Sequence, residues 1–265
     1  PKVLAPPGGE YSSGALMYFW ACWFNRRYRL IVYLTLAIAV TLLAALPAGL
    51  EYHEGRWVLI KITSHEQVVR IWHTGIGNTL VALLLILLFV AADLGALGLG
   101  DDSERRNLDF LLTRPRPRSH LVWSGWLAGL TQLLPLVIAP LLTCLVVLAE
   151  MTHDLLPREP LRLSVPLFAM AAALYSVAFF MATVTASARH GYELAALVIV
   201  LYMGYYLTQG GWWWYYDWES LYLYGAFDWY LSAHQLFPLA NLLTVAVATC
   251  LLPYFAQLSF ARRDC

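Results

Sequence analysis

Six long apolar runs set the terms on which this chain can fold: Leu30–Leu50, Ile76–Gly100, Leu121–Ala149, Ser164–Ser187, Leu194–Trp214 and Leu236–Leu258. Each is close to the ~20 residues with which an α-helix crosses the hydrocarbon layer of a bilayer. No water is at hand there to bond exposed amides, so a spanning segment must be a helix or part of a closed barrel. None of the runs alternates apolar and polar residues with period two, which excludes barrel strands. The sequence therefore predicts an all-α, polytopic membrane protein with six transmembrane helices, forming one membrane domain over residues 1–265.

Charged residues make up 13% of the chain, against roughly a quarter in soluble domains. The loops left over are too short for a soluble catalytic domain. The formal net charge is zero, which gives nucleic acid nothing to bind. Pro1–Glu10 is polar and does not read as a removable leader. Cys22, Cys144, Cys250 and Cys265 form no CxxC pair, and Cys144 and Cys250 read as small buried apolar residues within spans.

Orientation follows the distribution of Lys and Arg. With the N-terminus inside, twelve fall on inner segments (Lys2, Arg26, Arg27, Arg29, Arg105, Arg106, Arg114, Arg116, Arg118, Arg189, Arg262, Arg263) and five on outer ones (Arg56, Lys61, Arg70, Arg158, Arg162). Both termini are thus expected in the cytoplasm.

The tail and lead-in occupy 1–29. Ser13–Arg29 reads as an interfacial helix, rich in Tyr18, Phe19, Trp20, Trp23 and Phe24 and ending in the basic cluster Arg26, Arg27 and Arg29, which suits anionic headgroups. Glu51–Gly75 is expected to be an outer loop whose His53, His65 and His73 lack the spacing of a metal site. Asp93 lies near the inner end of the second span. An ionisable group in a membrane is costly and is retained for a reason. It is placed to face headgroup water, to pair with a nearby Arg, or to serve transport.

Residues 101–120 are polar. Asp101 and Glu104 have the spacing of a capping box, Leu108, Leu111 and Leu112 share a helical face, and Pro115 and Pro117 end the pattern. This predicts a short amphipathic cytoplasmic helix between spans two and three, able to press on a partner, or else a plain connecting loop. The third span carries Gly125 and Gly129, a GxxxG pair that permits close helix approach. It also carries Gln132, Pro135 and Pro140, which suggest a kink or a cavity-lining face. Ala188–Glu193 reads as a cytoplasmic turn, and Pro253 as an interruption of the sixth span. The outer loop 210–235 contains Trp212–Tyr230, where eleven of nineteen residues are aromatic. Such rings favour the membrane–water boundary. They predict either an interfacial anchor or an aromatic lining for an amphipathic substrate.

No GxxxxGK[ST] phosphate loop, HExxH or GxSxG is present, so no catalytic, cofactor or metal residue is assigned. Over Glu104–Trp126, and most closely in Glu104-Arg105-Arg106-Asn107-Leu108-Asp109-Phe110-Leu111-Leu112-Thr113-Arg114-Pro115-Arg116-Pro117-Arg118-Ser119, the chain resembles the permease subunits of ABC-2 type transporters, as does the tail Phe260-Ala261-Arg262-Arg263-Asp264. It departs from them at Arg106-Asn107, where Gly-Thr is usual, and at Ser124-Gly125-Trp126, which stand near the usual Lys. The resemblance implies a permease in a bacterial inner (plasma) membrane, paired with a second permease subunit, identical or not. ATP hydrolysis would then fall to separate cytoplasmic ATPase subunits. Asp101, Glu104, Arg105, Leu108, Leu111 and Leu112 would take up their motion, and Gln132, Trp213, Trp218 and Tyr222 are placed along a substrate path. Two other classes compete. One is a non-transporting membrane anchor of a larger redox complex, which would need span histidines for haem. The other is an intramembrane enzyme, for which a serine such as Ser176 would need a base.

Overall fold

The computed structural model describes residues 18–20, 22–24, 26–53, 56–59, 65–97, 118–153, 158–208 and 239–261. Six long helices account for nearly all of them: α1 (Arg27–Ala45), α2 (His65–Ala96), α3 (Arg118–Thr152), α4 (Arg158–Thr185), α5 (Ala188–Thr208) and α6 (Leu239–Ala261). Each overlaps one of the six apolar runs. Within Arg27–Ala45, Ser119–Thr152 and Leu167–Thr185 the helices are long and apolar enough to cross a membrane. These apolar helices mark the chain as an integral membrane protein.

Helix ends differ from the expected loop boundaries for local reasons. α1 stops at Ala45 because Pro47, at the start of a 3-10 turn over Leu46–Gly49, supplies no amide to continue the ladder. The expected outer loop Glu51–Gly75 is largely ordered. It opens with an antiparallel hairpin of β1 (Leu50–His53) and β2 (Arg56–Leu59), in which Tyr52 pairs with Trp57, and α2 then starts at His65. The hairpin is a small exception to the all-α expectation. α3 runs unbroken through Pro135 and Pro140, and α6 through Pro253, so the predicted interruption of the last span is not found. At 35 residues, α3 is roughly 50 Å long and overreaches the ~30 Å hydrocarbon core. The turn between α4 and α5 is not Ala188–Glu193 but Ala186–Ser187, with Ala186 in the left-handed region (φ 57°). Arg189 and Glu193 instead form an i,i+4 ion pair of 2.7 Å across the first two turns of α5.

α4 is the hub. It packs against α2, α3, α5 and α6, while α1 lies on α2 and α3. Burial follows this order: 61% of the apolar window of α4 is buried, against 22% in α1. Small residues make the closest seam. A Cβ added to Gly95 would stand 2.5 Å from the Tyr175 carbonyl oxygen and 2.7 Å from Ala178 Cβ. One added to Gly191 would stand 2.9 Å from both the Ala178 carbonyl oxygen and Ala182 Cβ. Backbone contact of this kind is what holds helices together where lipid provides no hydrophobic drive. The GxxxG pair on α3 plays a different part. Gly129 leaves room for the Tyr175 ring, and Gly125 meets only ordinary contacts at 3.7 and 3.8 Å. Cys144 is buried as expected, but Cys250 is exposed on α6.

Candidate functional site: a polar belt at one end of the bundle

α1, α3 and α5 begin, and α2, α4 and α6 finish, at the same end of the bundle, and buried polar groups gather there. The lead-in to α1 supplies the first of them. Tyr18, Cys22 and Arg26 are spaced by four, share a row and are buried, whereas Trp20, Phe24 and Tyr28, offset by two, form an exposed row. The segment is therefore two-faced, one face in the protein and the other turned out, as the 3.6-residue period requires. Trp20 and Phe24 stack with ring centroids 5.7 Å apart.

Arg26 is buried, and burying a guanidinium is costly unless its donors are used. It donates to the carbonyl oxygens of Leu97 (2.7 Å) and Leu94 (3.5 Å) at the end of α2. Those carbonyls belong to the last turn, where a helix runs out of its own amide donors, and sit at the negative end of its dipole. Arg26 thus caps α2 and removes itself from the basic cluster expected at the headgroups.

Asp93 lies one turn before that cap. Its Oδ2 accepts hydrogen bonds from the Tyr33 hydroxyl and from Arg29 at 3.4 Å, and its Oδ1 accepts one from the Tyr192 hydroxyl. Of the alternatives open for Asp93, pairing with a nearby Arg is what the fold provides. The carboxylate also joins α1 to α5 through α2. Tyr33 and Tyr192, 60 and 99 residues from Asp93, left no mark in the local sequence.

A second set of bonds fastens α3. Trp123 donates its indole N–H to Gln257 Oε1 on α6 (2.7 Å), and Trp126 donates to Ser176 Oγ on α4 (2.9 Å). The Tyr175 hydroxyl donates to the Trp126 carbonyl oxygen at 3.1 Å. Ser176 is therefore hydrogen-bonded by an indole, which is no base, and gains no support as a nucleophile.

Gln132 is the one substrate-path candidate that can be placed. It is fully buried on α3, and its Nε2 donates to the Trp23 carbonyl oxygen at 3.1 Å, while its Oε1 has no partner among the described residues. Asp101, Glu104, Arg105, Leu108, Leu111, Leu112, Trp213, Trp218 and Tyr222 lie outside the described residues, as do most of the 101–120 segment and the whole 210–235 loop. No three His, Cys, Asp or Glu side chains gather to hold a metal ion among the described residues.

The belt can fasten helix ends to one another, and among the described residues it contains no nucleophile–base pair. No family model matches this chain, and neither a curated protein nor a solved structure matches it.

Proposed function

We propose that this chain is the permease subunit of an ABC-2 type, ATP-driven transporter. It would form a substrate path with a second permease subunit and be worked by separate cytoplasmic ATPase subunits. The observation that carries this reading is the placement of the belt. Arg26, Arg29 and Asp93 clamp α1, α2 and α5 immediately before residue 98, where the chain enters the segment that resembles the ATPase-facing stretch of these permeases. A push on that segment reaches three helices through one cluster. The basic residues Arg26, Arg27, Arg29 and Arg189 belong to the same end, which supports a cytoplasmic face and, with α1 beginning and α6 finishing there, cytoplasmic termini. Transport is then a rigid-body switch between states biased by nucleotide on the partner.

The test is purification of the assembled complex. A co-purifying ATPase is expected, with Glu104→Ala, or Leu108→Asp together with Leu111→Asp, uncoupling its hydrolysis from transport while the membrane helices stay folded. If no hydrolase accompanies the chain in any nucleotide condition, the transporter reading fails.

A further inference from the structure

We infer that α2 carries, where its outward row meets the belt, a binding site for one phospholipid with a zwitterionic, primary-amine headgroup. Arg29 takes the phosphate, Asp93 takes the ammonium, and an acyl chain lies along Phe89 and Leu85. This does not depend on the transport reading. Leu85, Phe89 and Asp93 are spaced by four and share one face of α2. Ala91 and Gly95 lie on the opposite face, where Ala91 is fully buried and Gly95 meets α4. Phe89 is 66% and Leu85 40% exposed, so their face looks out of the bundle, which in a membrane is toward lipid. Asp93 continues this row at the end where the belt lies, and a carboxylate there is tolerable only at headgroup depth. Phenols from α1 and α5 hold it without covering it: its side chain stays 18% exposed, and Arg29, 45% exposed, stands beside it at 3.4 Å.

The paired charges select the ligand. A lone anion on Arg29 would be repelled by Asp93, and a lone cation on Asp93 by Arg29; a headgroup carrying both signs meets each with its opposite. Arg29 reaches Asp93 through Nη1, which leaves most of its planar fork for phosphate oxygens. Three donors reach Asp93, whereas a carboxylate has roughly four acceptor sites. The open one is on Oδ1, which among the described residues accepts only from Tyr192. A primary ammonium has N–H groups to fill it and a trimethylammonium has none. Ethanolamine and choline headgroups are therefore told apart at Asp93, while Arg29 holds the phosphate common to both.

The experiment is native mass spectrometry of the purified full chain, titrated with phosphatidylethanolamine, its mono- and dimethylated forms, phosphatidylcholine and phosphatidylglycerol, all with the same acyl chains. The wild type should retain phosphatidylethanolamine about five-fold over phosphatidylcholine, the ~1 kcal/mol of a partly exposed ion pair, with the methylated forms between them and phosphatidylglycerol no better than phosphatidylethanolamine. Asp93→Asn should lose most of that preference. Arg29→Gln and Phe89→Ala should weaken both zwitterionic lipids and keep their ratio. Because Asp93 also joins three helices, the methylation series on the wild type decides the matter without any substitution. Equal retention of the ethanolamine and choline lipids by the wild type, stronger retention of phosphatidylglycerol, or an undiminished preference in a folded Asp93→Asn would overturn the assignment. So would displacement of the lipid by millimolar phosphoethanolamine alone, because Phe89 and Leu85 would then have no part in binding.

Discussion

Gly95→Ala should loosen the centre of the bundle, while Gly125→Ala leaves it intact, although the sequence advertises the second position and not the first. The new methyl at residue 95 would lie 2.5 Å from the Tyr175 carbonyl oxygen, 2.7 Å from Ala178 Cβ and 3.1 Å from the Phe179 amide nitrogen. Two of these neighbours are backbone and the third is a Cβ fixed to it, so no rotamer change relieves the contact. Helices α2 and α4 would have to part by several tenths of an ångström along their closest seam. Overpacking of this kind costs ~1–3 kcal/mol, offset by at most about 1 kcal/mol because alanine is the better helix former. At residue 125 the nearest atoms are 3.7 and 3.8 Å away, and only the favourable part applies. Thermal unfolding of the purified chain in a mild detergent, followed by intrinsic fluorescence and by loss of the monodisperse peak, measures both. Gly95→Ala should lower the midpoint and Gly125→Ala should leave it unchanged or raise it. Equal midpoints for the two variants would show that the α2–α4 seam is not the close contact described here.

Two further substitutions probe the belt. Asp93→Ala strips the acceptor from Tyr33, Tyr192 and Arg29 together, and hydrogen bonds to a charged group are worth ~1.5–3 kcal/mol each. Its midpoint should therefore fall further than that of either Tyr33→Phe or Tyr192→Phe, and a double-phenylalanine variant no less stable than the wild type would refute the cluster. Gln132→Leu exchanges one bond, to the Trp23 carbonyl oxygen, for relief of an acceptor buried without a partner among the described residues. The two terms are each about 1 kcal/mol and oppose one another, so the same melt should move little; a large loss would mean that the amide oxygen has a partner.

Hydropathy made the helices legible because twenty apolar residues in a row have few alternatives, but it weighs size and register poorly. The small-residue spacing Ala91-x-x-x-Gly95 was present, and beside it Ala92-x-x-x-Ala96. Alanine and glycine fade among Leu and Val, and Gly125-x-x-x-Gly129 is the more conspicuous small-residue pair. The lead-in shows the same limit. Its aromatics and arginines together read as one interfacial helix, whereas the row Tyr18, Cys22, Arg26 and its opposite, Trp20, Phe24, Tyr28, separate a face packed in the protein from one turned outward. An Arg following a Tyr and a Cys at spacing four was the available sign that Arg26 is not a surface charge. A nearby Arg for Asp93 was within reach of sequence reasoning; its two phenols, on other helices, were not. Neither the start of α2 at His65 nor the hairpin before it was marked, because charged and histidine-bearing segments of that length read as loop until tertiary contacts order them.

The distribution of burial and bonding bears on how the bundle would move. α1 is the least buried of the three helices that meet the spanning criteria, yet its beginning is tied to α2 by Arg26 and, through Asp93, to both α2 and α5. α3 is fastened by Trp123 to α6, by Trp126 to α4 and by Gln132 to the lead-in of α1. The belt thus links α1, α2 and α5 through Asp93 and ties α3 to α4, α6 and the α1 lead-in, while α2 and α5 press against α4 along the Gly95 and Gly191 seam. Hydrogen bonds to charged groups hold their geometry over short distances, whereas a seam of alanine and glycine has only dispersion and shape to keep it closed. A displacement delivered at the end of α2 is accordingly expected to carry α1 and α5 with it and to meet least resistance where α2 and α5 pass α4, at the small-residue seam rather than at the belt.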